Sequence, residues 1–173
     1  MKRIIAFALA ALLCVSLFAG CASKKASLEG TPAEIIEKIY AQKSVEFAPM
    51  TISPDDPDYG SMWDWFYYTG LTDGSQIAQA AVSEPMMGSI AFSMVVVRVN
   101  EGVDAKAVAE QMKSNIDTRK WVCVEAGDLQ VAGYGDVVML IMVDESFASE
   151  GITSQAFVDA FKAVCGADLD FTI

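Results

Sequence analysis

The chain has 173 residues, 23 of them acidic and 12 basic, and contains no histidine. Its formal net charge of −11 opposes binding to phosphate backbones and to anionic lipid head groups, so nucleic acid is not an expected partner. Without histidine, Ser-His-Asp and Cys-His catalytic sets and His-based zinc sites are excluded within the chain.

Lys2 and Arg3 open the chain, and residues 4–19 are uncharged, apolar and small. That run is shorter than the about 20 apolar residues a spanning helix needs. It ends at Leu17-Phe18-Ala19-Gly20-Cys21, where small residues directly before a cysteine resemble the lipobox of bacterial lipoproteins, with Phe18 standing where that family more often has leucine. The resemblance implies that residues 1–20 are a lipoprotein signal peptide, that Cys21 carries a diacylglycerol thioether, and that the mature chain is held by lipid at the extracytoplasmic face of the cell membrane. Losing Lys2 and Arg3 leaves ten basic residues against 23 acidic ones, a net charge of −13. Attraction of cations or basic peptides is the functional reading of that charge, and simple solubility is the bland one.

Residues 21–30 are small and polar without apolar periodicity and read as a flexible tether, followed by one domain over residues 31–173. Thr31-Pro32-Ala33-Glu34 predicts a helix start with Thr31 as N-cap, Pro32 in the first turn and Glu34 closing a capping box, and Ile35, Ile36, Ile39 and Tyr40 form its apolar stripe to about Lys43. Pro49, Pro54, Pro57 and Gly60 with Asp55, Asp56 and Asp58 predict a loop. Met62, Trp63, Trp65, Phe66, Tyr67 and Tyr68 make the densest aromatic segment, and two readings stand: Trp63, Trp65, Tyr67 and Tyr68 form a partner surface, or they plug an open end of the core. Residues 76–83 lean to an edge strand, Pro85 and Gly88 mark a turn, and residues 90–99 are a clear strand. A helix is predicted over residues 104–116, a short strand at Trp121–Val124, a hairpin joining residues 129–132 to 137–143 through Gly133-Tyr134-Gly135, and a last helix over residues 154–164.

These elements predict an α+β domain: an antiparallel or mixed sheet of about four to five strands, with two to three helices packed on one face. With Cys14 removed and Cys21 acylated, Cys123 and Cys165 remain. They form a disulfide, worth roughly 4 kcal/mol in the chain-entropy model, or stay as separate buried thiols.

Tyr67-Tyr68-Thr69-Gly70-Leu71, the stretch from Pro85 to Val99, the helix ending near Arg119, and Gly133-Tyr134-Gly135-Asp136 with its following strand resemble the layout of domain of unknown function 4358, found in Gram-positive lipoproteins. That resemblance implies address and architecture and brings no activity with it. Asp55-Asp56-Pro57-Asp58 and Asp144-Glu145 lack the ligand spacing of an EF-hand, and no cofactor or metal is expected. The expected function is a non-catalytic binding or accessory module at the cell envelope, taking an envelope protein or small ligand. The alternatives are a carboxylate- or Ser/Thr-dependent hydrolase, using groups such as Asp136, Asp144 or Glu145, and a purely structural envelope protein.

Overall fold

A computed structural model describes residues 27–173. The signal segment, Cys14, Cys21 and the first residues of the expected tether lie outside the described residues.

The first helix, α1 (Pro32–Gln42), begins as the sequence dictates. Thr31 Oγ1 accepts the Glu34 N–H, and the Glu34 carboxylate accepts the Thr31 N–H at 2.7 Å. That reciprocal bonding holds the Glu34 carboxyl below the usual carboxylate range. Ile35, Ile36 and Ile39 are fully buried. After a turn come β1 (Pro49–Ile52), a 3-10 turn at Gly60–Met62 and the short α2 (Trp65–Thr69). Then follow β2 (Ile77–Pro85), β3 (Phe92–Val99), α3 (Ala105–Asn115), β4 (Asp128–Tyr134), β5 (Val137–Val143), a 3-10 segment at Glu145–Glu150, α4 (Ser154–Cys165) and β6 (Phe171–Thr172).

The strands form one six-stranded antiparallel sheet in the order β1-β2-β3-β5-β4-β6. The α+β class and the antiparallel sheet agree with the sequence reading. The helices do not all pack on one face, and this corrects the expectation. α1 and α4 cover one face, over Phe92, Met94, Val96, Met139, Ile141 and Val143. α3, with Trp121 and the α2 aromatics, covers the other, over Val95, Val97, Val99, Val138, Leu140 and Met142. Successive side chains of a strand point to opposite faces, so a strand covered on both sides is apolar at nearly every position, with Ser93 and the terminal Arg98 the exceptions in β3. That is why β3 and β5 are near-continuous apolar runs.

Three further expectations are corrected. The segment at residues 76–83 is not an edge: all of it but Gln76 belongs to β2, which lies inside the sheet, and the edges are β1, opening on Pro49, and the two-residue β6. A short proline-bearing edge and a very short one are both poor templates for pairing with another chain. Trp121–Val124 is an irregular loop, not a strand. The β4–β5 turn is Gly135-Asp136, with Gly135 at φ 60, and Gly133 lies within β4. A Cβ on Gly133 would sit 2.2 Å from the Phe171 ring, so a glycine there lets β6 close over β4.

The end of the expected tether is docked. Arg98, at the C-terminal end of β3, bonds both oxygens of Asp136 at 2.8 Å, donates to Ser27 Oγ at 2.7 Å, and reaches the carbonyls of Leu28 and Gly30 at 2.7 and 2.9 Å. Lys38 donates to the Glu29 carbonyl at 3.0 Å. Residues 27–30 are thereby fixed to one end of the sheet.

Candidate functional site

The aromatic segment is built around α2. Asp64 caps it, accepting the Tyr67 N–H at 2.9 Å, and Gly70 ends it at φ 73. Gly70 sits against the last turn of α3, where a Cβ would come within 2.8 Å of the Met112 carbonyl oxygen and the Ile116 nitrogen. The five-residue helix divides its aromatics by side. Trp65 and Tyr68, three positions apart, turn inward with Trp63 and pack on the core, whereas Phe66 and Tyr67 are 55% and 41% exposed. Trp63 meets Trp65 at 5.3 Å and Tyr68 at 5.2 Å between ring centroids, and Trp65 lies against Gly74. Trp63, Trp65 and Tyr68 thus plug the core, as one of the two readings had it, and Tyr67 is at the surface.

Beneath Tyr67 lies a residue that the sequence reading did not single out. The Lys120 side chain is 2% exposed, and its ammonium lies 4.6 Å from the Tyr67 ring centre, 5.4 Å from that of Tyr68 and 5.3 Å from that of Trp121. It is paired with Glu84 at 2.5 Å and donates to the Tyr67 carbonyl at 3.2 Å. Burial pulls this ammonium below the usual lysine range, while Glu84 opposes the shift. Burial, with the negative charge of Glu84, raises the Tyr67 and Tyr68 phenols; Asp117 adds to the first and Asp64 to the second.

The surface beside this group is apolar. The loop from Lys120 continues to Val122, which is 70% exposed and donates its N–H to the Gly88 carbonyl at 2.8 Å in the β2–β3 turn. That turn carries Met86 and Met87, 79% and 60% exposed. Tyr67, Val122, Met86 and Met87 thus crown one end of the sheet, with Phe66 alongside Tyr67. Residues 27–30 are docked at the other end, beyond the C-terminus of β3. β3 has eight residues, so about 25 Å of strand separates the two ends.

The docked end has a concavity of about 710 Å³, bounded by Ser27, the loop from Val99 to Lys106, Gly135-Asp136 and Asp170-Phe171. Three of its four lining carboxylates are already engaged, and the fourth, Glu101, is exposed. Asp136 holds Arg98, Asp104 caps α3, and Asp170 accepts the Gly135 N–H at 2.8 Å. The carboxylates weighed for hydrolysis do not converge, because Asp136 precedes β5 and Asp144-Glu145 follow it. Asp144 accepts the Ser146 N–H at the start of the 3-10 segment, and Glu145 packs against Gly127. In the acidic loop, Asp56 accepts the N–H groups of Asp58 and Tyr59 and shapes a turn.

Cys123 and Cys165 are both free, and the disulfide expected as one alternative is corrected. Cys123 lies between Trp121 and Val124 on the α3 side, and Cys165 ends α4 on the opposite side, so the sheet stands between them. Only part of the other alternative holds. The Cys165 thiol is half-buried and pushed up to about 11 by that burial, with Asp170 adding to the shift, while Cys123 is exposed at φ 64.

No protein-family model, curated protein or solved structure matches the chain. The site must be read from its own chemistry. Lys120, Glu84 and Val122 were not legible as site residues because each sits in a segment whose pattern speaks of strand or loop. One signal was available: a lysine directly before Trp121, in a chain short of basic residues, is an unusual choice beside a core aromatic.

Proposed function

We propose that the chain is a lipid-anchored extracytoplasmic lipoprotein, acylated on Cys21, that serves as a non-catalytic binding or accessory module at the cell envelope. The Leu17-Phe18-Ala19-Gly20-Cys21 sequence and the layout resembling domain of unknown function 4358 support the address. One observation carries the binding role: the exposed apolar side chains Tyr67, Val122, Met86 and Met87 gather at the end of the sheet opposite the docked residues 27–30. Six residues from Cys21 to Ser27 span at most about 21 Å, so an anchor at Cys21 keeps the docked end beside the bilayer and the apolar end away from it. Clustered apolar exposure on a soluble face is the ordinary mark of a contact surface.

Replacing Cys21 with serine is expected to move the protein from the membrane to the soluble fraction, as uncleaved precursor or released chain. A photo-crosslinking residue at position 122 of the native lipoprotein, in its own cells, should trap a discrete envelope partner that the same residue at position 101 does not. Membrane retention of the serine variant contradicts the anchor; equal capture, or none, at both positions contradicts the binding surface.

A further inference from the structure

We infer that the apolar end of the sheet receives a basic, amphipathic segment of an envelope protein, with the apolar side of that segment on Met86, Met87 and Val122 and its cations on Asp64 and Asp117. This rests on the binding role proposed above and names the chemistry of the partner. Charge around the patch decides it. Lys120 is matched to Glu84, and Arg119 is matched to Glu125 at 3.4 Å. Asp64 and Asp117 accept the backbone N–H groups of Tyr67 and Arg119, Asp117 also acts on the Lys120 ammonium, and both act on the phenols of this cluster, so that the four carboxylates Glu84, Glu125, Asp64 and Asp117 stand against the two cations Lys120 and Arg119.

Two other occupants fit less well. A second copy of the chain would bring another strongly acidic molecule against the same acidic rim, and like charges across an interface oppose docking. An anionic bilayer would be repelled in the same way, and lies at the other end of the sheet if Cys21 is the anchor. A segment carrying lysine or arginine gains from both features, because its aliphatic stems lie on apolar surface while its charged heads reach the carboxylates. An arginine in such a segment can also stack on the exposed Tyr67 ring.

The test uses the full-length lipidated protein in nanodiscs of zwitterionic lipid. Two fluorescent 18-residue amphipathic helical peptides are titrated, identical in their leucines and differing only in carrying lysine or glutamate on the polar face. The lysine peptide is expected to bind, and to bind more weakly as salt rises. Asp64→Asn with Asp117→Asn keeps both backbone caps and should weaken binding about five- to tenfold; Met86→Ser with Val122→Ser should weaken it about tenfold. Equal binding of both peptides, or no change in the asparagine variant, overturns the basic-segment inference. Position-122 capture would still decide the binding role separately. Patch-dependent dimerisation in sedimentation, with no peptide binding, would assign the surface to a second copy and also overturn it.

Discussion

Lys120 shows how one residue changes what an aromatic cluster is. A buried ammonium is tolerated where a carboxylate and ring faces replace its water, and Glu84, Tyr67, Tyr68 and Trp121 supply both. Removing one partner of such a pair strands the other, so Lys120→Met is expected to lower unfolding free energy by about 3–5 kcal/mol. Lys120→Met combined with Glu84→Gln should cost less than Lys120→Met alone in urea denaturation; an equal or greater cost would mean the pair is not the source. Tyr40 makes a separate prediction in pH. Burial pushes its phenol from 10.0 to about 12, against a hydrogen bond with Ser83 at 2.9 Å that favours ionisation. The folded pKa is raised, so Tyr40's contribution is intact below pH 10 and is lost as pH climbs toward 12, worth at most about 3 kcal/mol. Cys165, raised to about 11, acts with the same sign, while Lys120, whose folded pKa is lowered, has the opposite slope. Tyr40→Phe should therefore lose less stability than the wild type between pH 9.5 and 11.5 in urea titrations, and equal losses would contradict the assignment.

Elements with local chemistry were legible in the sequence, and those fixed by distant partners were not. Thr31, Pro32 and Glu34 write the start of α1 in four residues, and the spacing of Val108 and Met112 writes α3. β1 was not legible, since Pro49 and the aspartates after it speak of loop; what makes Pro49–Ile52 a strand is pairing with β2 thirty or more residues away. β6 is similar, existing because residues 131–133 offer it an edge and Gly133 offers Phe171 room. The unbroken apolar runs of β3 and β5 did contain the two-sided cover, but a periodicity reading finds only that they are central. The candidate site was half legible, because the aromatic run is visible in sequence while its division into Trp63, Trp65 and Tyr68 inside and Tyr67 outside needs the five-residue α2. Gly133→Ala is expected to cost about 1–3 kcal/mol by pushing the Phe171 ring off β4. In a Phe171→Ala background the same change should cost clearly less, and strict additivity would contradict the contact.

At the scale of the whole molecule the sheet acts as a spacer with two unlike ends. Arg98 and Asp136 hold residues 27–30 at one, and Tyr67, Val122, Met86 and Met87 stand exposed at the other. Arg98→Ala is expected to speed amide exchange across residues 28–30, to cost about 2 kcal/mol, and to leave β3 protected. Slow exchange in that variant would show that the docking does not depend on Arg98. The direct test of the polarity is energy transfer from a dye on the protein to an acceptor lipid, using the full-length chain with the proposed lipid on Cys21, in nanodiscs. The exposed Cys123 carries the dye in one sample, with Cys165 replaced by alanine; Glu101→Cys carries it in another, with Cys123→Gly also introduced. Strong transfer from position 101 and weak transfer from position 123 is the expected result. Equal transfer from the two positions, or stronger transfer from 123, would contradict a domain that stands on its lipid with its apolar end outward.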